Sequence, residues 1–269
     1  MNNMLSQGAM HLDAFDIAIA ALLVLVAGVV SLVLKLGLER RLLLASIRTV
    51  VQLFLIGYVL RYVFRFENLP LVLAVVTLMV LAAARASVRR SSRKYSGVYF
   101  NSFIILVLSG MLTSYSVTGV IIGVDPWYKT QYMIPLLGMI LGNSLTGISL
   151  TLDYLLESLS ERRNEVETEL AMGATKWEAA RAPLADAVRR GMIPVINSMM
   201  VVGIVSLPGM MTGQILQGAD PVQAVRYQIV VMFMIAAATS GGCMGIALLT
   251  YKKLFNARHQ LDYRLIEKR

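Results

Sequence analysis

The residues that could do chemistry are few, and they stand in strongly apolar surroundings. Arg48 and Gln52 are four apart, so on a helix they share a face and could look into one polar crevice. Asn143, Ser144 and Thr146 make a second polar group, and Asn197 and Ser198 a third, all offering neutral oxygens or amides. Such groups can bind or pass a ligand; they do not assemble an acid, a base or a nucleophile. The sixteen methionines include Met199, Met200, Met210 and Met211, grouped around Pro208. Thioethers suit copper(I) better than iron(II) or aluminium, and methionine is also a common gap filler of adaptable interiors, so packing is the reading adopted. No Asp or Glu lies in the middle of an apolar run, and a bare hard divalent ion would miss the carboxylates it prefers. A ligand could still be held transiently by amide, hydroxyl and thioether groups, arrive as a chelated or partly neutralised metal, or be no metal at all. No Gly-x-x-x-x-Gly-Lys phosphate loop is present, so the chain itself does not hydrolyse ATP by the usual route. The two histidines, His11 and His259, are expected on solvated faces.

The elements that must position these residues are set by composition. With 269 residues, 57% hydrophobic, 15% charged and a mean hydropathy of +0.67, the chain has too little polar surface for a soluble globule. Its formal charge of +9 does not make a nucleic-acid face, because the basic residues sit between apolar runs rather than on one polar module. The single Cys243 permits no internal disulfide and reads as a packed thiol. The amino-terminal stretch lacks a basic region, and the first apolar run is too long for a signal peptide, so an uncleaved first helix is expected.

Apolar runs long enough to cross a bilayer fall at residues 15–36, 42–64, 69–86, 99–122, 130–155, 192–217 and 227–251. The expected fold is therefore all-α: one polytopic membrane domain over residues 1–269, with about seven transmembrane helices. Twenty Lys and Arg fall in alternate loops and the tail, against Arg61, Arg65, Lys129 and Arg226 on the other side. That asymmetry places the amino terminus outside and the carboxyl terminus in the cytoplasm. Gly138 and Gly142, Gly209 and Gly213, and Gly241 and Gly245 are GxxxG pairs, suited either to packing within one protomer or to a moving or dimeric seam. Pro208 within the sixth run leaves the carbonyl of Ile204 without a helical donor, giving either a kink or a discontinuous helix on a substrate path.

The long polar segment, residues 157–191, separates the fifth and sixth runs. Val166, Leu170, Ala174 and Trp177 recur at helical spacing, with Glu165, Glu167, Glu169, Lys176 and Glu178 on the other faces. Gly173 interrupts this pattern, and Thr175 with Glu178 forms a capping box. One helix should end at the glycine, a second should begin at the threonine, and Pro183 should end or bend that second, short piece. The result would be an exposed cytoplasmic knob suited to docking, with Trp177 as its anchor.

Glu169, Ala171 and Gly173, the run Gly173-Ala174-Thr175, and the following Ile193 and Pro194 resemble the coupling loop of ABC-transporter permeases. The wider wording resembles the permease subunit of Fet-type iron exporters, whose plant relatives take part in aluminium tolerance. It continues in residues 202–216, 220–234 and 251–261, and upstream in Arg48, Gln52 and Leu53, in 57–64 and in 134–144. The likeness is thin in residues 1–38 and 86–129.

The resemblance implies a bacterial cytoplasmic-membrane permease that exports iron or a related metal, as one of two identical copies. The power source would be a separate cytoplasmic ATPase subunit carrying ATP and Mg, with no cofactor on this chain. Glu167, Glu169, Ala171, Gly173, Ala174, Thr175 and Trp177 would meet that ATPase. Arg48, Gln52, Asn143, Ser144, Asn197, Ser198, Met199, Pro208, Met210 and Met211 are the candidates for the translocation path; metal ligands are not assigned. Other readings are a permease for a sugar-nucleotide or cell-envelope substrate, a secondary carrier, or a receptor on a permease-like fold. Arg48 either snorkels or pairs with Asp153 or Glu157, or it touches substrate; Arg93, by contrast, is expected to be a solvated loop residue.

Overall fold

The computed structural model describes residues 13–66, 68–256 and 258–268, so His11 lies outside the described residues. Its helices are α1 (Ala14–Val33), α2 (Glu39–Phe66), α3 (Leu69–Arg90), α4 (Val98–Tyr115), α5 (Thr130–Glu161), α6 (Arg163–Ala171), α7 (Lys176–Val201), α8 (Gly209–Leu216) and α9 (Pro221–Leu254). A π-helical turn, Ser116–Ile121, prolongs α4, and the two-residue strands β1 (Arg93–Lys94) and β2 (Glu267–Lys268) pair antiparallel. Among the described residues, six helices, α1 to α5 (α4 with its π turn) and α9, are long and apolar enough to cross a membrane.

The expected sixth span over 192–217 is a correction. The chain there is not one helix: α7 stops at Val201, residues 202–208 are irregular, and α8 restarts at Gly209 with Pro208 at its N-cap. Of the kink and the discontinuous helix expected at Pro208, the discontinuous helix is the one that forms: the proline starts a new helix, which its fixed φ favours. Gly203, at φ 85°, lets the chain turn, and its N–H donates to the Ser206 carbonyl at 2.9 Å. The second helix of the polar segment is corrected as well. It is not short, because α7 runs 26 residues through both Pro183 and Pro194. Burial of Ala179, Ala180, Leu184 and Ala187 holds the helix across Pro183 although one backbone hydrogen bond is lost.

The centre of the bundle is α5, packed against α3, α4, α7 and α9 through fully buried Leu137, Ile140, Ile148, Leu152 and Leu155. Contacts along its length give the directions. Gly138 lies by Met79 of α3 and Thr146 by Arg90, so α3 runs parallel to α5. Gly245 and Gly241 of α9 meet Ile105 and Ser109 of α4 in reverse order, so α4 runs against α9.

The closest crossing joins α5, α7 and α9 at Gly147, Gly191, Thr151 and Cys243. A Cβ on Gly191 would run into Thr151 Oγ1, and it would sit 2.8 Å from the Gly147 carbonyl oxygen and 3.0 Å from Cys243 Sγ. Cys243 is a packed thiol, as expected. Among the expected glycine pairs, Gly245 is tight, 2.6 Å from Ile105, whereas Gly142, Gly209 and Gly213 would have nothing within 4 Å of an added Cβ.

The α1–α2 hairpin packs mainly on itself and meets this body only slightly, α2 against α5. Its turn is closed by Ser31, whose Oγ donates to Glu39 and accepts the Leu38 N–H, each at 3.0 Å. None of the most apolar stretch of α2 is buried.

Candidate functional site

Two sites at opposite ends of α7 hold most of the candidate residues. At the first, α6 ends at Ala171 and Gly173 turns the chain at φ 98°, a left-handed conformation that glycine adopts without strain. Thr175 then caps α7. Its Oγ1 accepts the Glu178 N–H at 3.3 Å, and the Glu178 carboxylate accepts both the N–H and the hydroxyl of Thr175 at 2.7 Å. These hydrogen bonds, the backbone one first, hold the Glu178 carboxyl below its ordinary value.

The elbow is built from both sides. Val166 is buried, Arg163 pairs with Glu167 at 2.7 Å and stacks over the Tyr263 ring at 3.5 Å, and Glu169, Ala171 and Thr175 point to solvent. Ala174 is half-buried at the turn. Trp177, expected as a free anchor, is 47% exposed and already stacks edge-on against Tyr251 of α9, with ring centroids 5.6 Å apart. The tip of the elbow is instead Met172, 83% exposed, which the sequence reading passed over.

The carboxyl-terminal tail closes under this elbow. Lys176 N–H donates to His259 Nδ1 at 3.0 Å, Asp262 N–H to the Leu254 carbonyl at 2.8 Å, and Leu261 is buried. His259 is exposed, yet its ring supplies an acceptor to the first turn of α7.

Arg93 corrects another expectation. It is not solvated: its side chain is 11% exposed, and it donates to the carbonyls of Leu156 and Glu157 at 3.4 and 3.3 Å with Glu161 at 3.7 Å. A cation on the last carbonyls of α5 also meets the negative end of the helix dipole. Arg93→Ala is therefore expected to lower the thermal unfolding temperature of the purified protein, while Arg89→Ala, at an exposed position, leaves it unchanged. Equal melting of the two variants would remove this cap from the account.

The second site lies where α7 breaks. Asn143, Ser198, Pro208 and Met210 line a cleft of about 250 Å³ together with Met139, Ser206 and Gln228. A neighbouring cleft of about 300 Å³ shares Met139, Met210 and Val231 and adds Gln131, Tyr132, Gln214 and Tyr227. Pro135 leaves the Gln131 carbonyl without a helical donor, and both residues line the second cleft. The π turn supplies Val117 to the same wall.

The remaining candidates do not meet there. Ser144 is buried against α9, its Oγ without a hydrogen-bond partner, while Asn197 is exposed and Met199 and Met211 are half-buried outside both linings. Arg48 and Gln52 are exposed on α2 and line neither cleft. Asp153 does not pair with Arg48; it accepts from the Ser91 and Ser92 hydroxyls and the Ser92 N–H at 2.7–3.2 Å. Gln228 and Gln214 were missed by sequence reading. Their signal was faint: Gln228, Met232 and Ile235 recur at helical spacing as one face of an apolar helix, with the amide its lone polar member. Among the described residues no cluster of three or more His, Cys, Asp or Glu could hold a metal ion.

A bundle of long apolar helices around α5, with a projecting polar elbow and an uncharged cleft within, defines an all-α polytopic integral membrane protein. Residues 14–255 match the family described as "Uncharacterised protein family (UPF0014)", and the chain belongs to that family. It is 35% identical over 251 residues to the UPF0014 membrane protein YjkA of Bacillus subtilis, covering 93% of this chain and 98% of that one. It is 34% identical over 255 residues to the "Probable iron export permease protein FetB" of Escherichia coli, covering 94% and 96%. It is also 33% identical over 245 residues to Protein ALUMINUM SENSITIVE 3 of Arabidopsis thaliana, covering 91% and 88%. No solved structure matches the chain.

Proposed function

We propose that the chain is the membrane-spanning permease subunit of an ABC transporter in a bacterial cytoplasmic membrane. It exports iron or a related metal and is driven by a separate ATPase subunit that carries ATP and Mg. The observation that carries this reading is the continuity of α7. One end is the capped, solvent-exposed elbow at Gly173, and the other is the break at residues 202–208 beside the polar cleft. Between them Gly191 locks α7 to α5 and α9. A push at the elbow by closure of an ATPase pair would therefore move the wall of the cleft, which is how access is switched across a membrane.

The metal cargo rests on the likeness to the Escherichia coli relative named as a probable iron export permease. The uncharged cleft supports a second reading, a non-metal substrate handled by the same machinery. A second copy of the permease is part of the proposal, since one elbow serves one ATPase. It would also cover α2, where Arg48 and Gln52 stand exposed on an apolar helix with no partner among the described residues.

Co-expression with an ABC ATPase subunit tests the reading: the two should co-purify, and the permease should change the rate of ATP hydrolysis. An ATPase that ignores the permease in both assays refutes it. The proposed orientation is checked by cysteine labelling. Gln7→Cys, outside the described residues, should react with an impermeant maleimide in intact cells, and Asn256→Cys only after the membrane is opened. The reverse pattern would invert the topology and move the elbow away from cytoplasmic ATP.

A further inference from the structure

The two clefts at the break of α7 are walled on the shared side by Met139, Met210 and Val231. Their polar lining is neutral throughout: amides, hydroxyls, thioethers and two tyrosines, with no Asp, Glu, His, Lys or Arg in either. Gln228 is 6% exposed, yet its Oε1 has no hydrogen-bond partner, and the buried Oε1 of Gln214 is equally unserved. Each cleft thus has in its lining one glutamine whose buried amide oxygen is unserved. Leaving a buried polar atom without a partner costs stability, and a turn of either side chain into its cleft would let a ligand supply the missing bond.

Size and charge decide what that ligand is. A bare ion occupies a volume on the order of one water, about 30 Å³ in the liquid. The clefts, at about 250 and about 300 Å³, are each several times larger. Pockets that take small molecules start at about 300 Å³. A charged ligand entering these clefts would exchange its hydration for neutral dipoles alone, with no counter-charge in the lining, whereas a neutral molecule with donors and acceptors finds amides to meet them at smaller desolvation cost. Methionine, flexible and polarizable, lets the shared wall adapt between the two spaces.

We infer that the paired clefts form one binding site for an uncharged, hydrogen-bonding small molecule, and that metal enters it only as a charge-neutral chelate. Gln228 and Gln214 hold the ligand from opposite chambers, and Met139 and Met210 form the adjustable partition. Irregular backbone at membrane depth is tolerated where it lines such a cavity, which accounts for the placement of Ser206 and Pro208 in its wall. The inference rests on the permease reading for its biological meaning, because it names the class of cargo.

The test is equilibrium binding to the purified permease in nanodiscs without any ATPase, so a failure of docking and a failure of this site are separate results. The probes are neutral tris(maltolato)iron(III), metal-free maltol, hydrated Fe(II) and Ag(I). The neutral complex is expected to bind, and Gln228→Leu and Gln214→Leu should each weaken it about tenfold. Both variants should melt no lower than the parent protein, because each removes an orphan polar atom rather than a made hydrogen bond. Binding of the iron complex alone assigns a neutral chelate as cargo; equal binding of maltol with the same variant dependence assigns a metal-free molecule, and either supports the site. Tighter binding of Fe(II) or Ag(I) than of both neutral probes overturns the inference. So does failure of both neutral probes to bind, or binding indifferent to both glutamine variants.

Discussion

Replacing Gly191 by alanine should leave little folded protein in the membrane, although alanine is the better helix former. The added Cβ meets Thr151 Oγ1, the backbone carbonyl of Gly147 and Cys243 Sγ at once. A hydroxyl can rotate away, but a carbonyl moves only if α5 and α7 separate, which opens the crossing that Gly147 and Gly191 make. Overpacking of this kind costs roughly 1–3 kcal/mol, and valine at the same place should cost more. The measurement is the thermal unfolding midpoint in detergent together with the yield of monodisperse protein. Gly209→Ala is the control, since its Cβ would find nothing within 4 Å and its φ is not in the left-handed region. If Gly191→Ala and Gly209→Ala melt together, the three-helix crossing is not where α7 is held.

That crossing also explains what the sequence could and could not disclose. The long apolar runs showed α1 to α5 and α9 directly, because length and hydropathy suffice for a helix that must satisfy its own backbone in lipid. The turn at Gly173 and the Thr175–Glu178 cap were equally legible, being local chemistry within four residues. The tightest approach was not. GxxxG spacing looks along one helix, whereas Gly147 and Gly191 belong to different helices and meet only when α5 and α7 are packed. For the same reason Arg93 read as solvated: its partners are the carbonyls of residues more than sixty positions away.

Proline left alternatives that only packing decides. Pro183 could end or bend the second helix of the polar segment, and it lies inside α7, where buried alanines and leucine outweigh a lost hydrogen bond. Pro208 allowed a kink or a discontinuous helix, and the chain takes the second, with Gly203 of the break in the left-handed region. Of the ten residues named for the path, Asn143, Ser198, Pro208 and Met210 line one cleft, while Arg48 and Gln52 lie on α2, exposed among the described residues. Orphaned amides such as Gln228 cannot be recognised before their surroundings are known, since an unmade hydrogen bond is a property of the packed state.

The largest functional effect should come from the elbow. Gly173→Val forces a β-branched side chain into φ 98°, where L residues are strained, so the turn between α6 and α7 must re-form in another shape. Nothing lies within 4 Å of an added Cβ there, and the core does not pass through this turn. The variant is therefore expected to insert, fold and melt close to the parent while losing co-purification with the ATPase and any effect on its hydrolysis. Met172→Asp tests the same surface by a different route. It leaves the backbone free but places a charge on the most exposed apolar side chain of the elbow, where a partner pocket would have to desolvate it. Trp177→Ala is the weaker test of contact, because half of that ring is spent on Tyr251 and its loss would loosen α7 from α9 as well. Loss of binding in Gly173→Val and Met172→Asp, with melting unchanged, is the result expected of a docking elbow. Normal binding and normal stimulation in both would leave it a passive connection between α5 and α7, and the drive for transport would have to enter elsewhere.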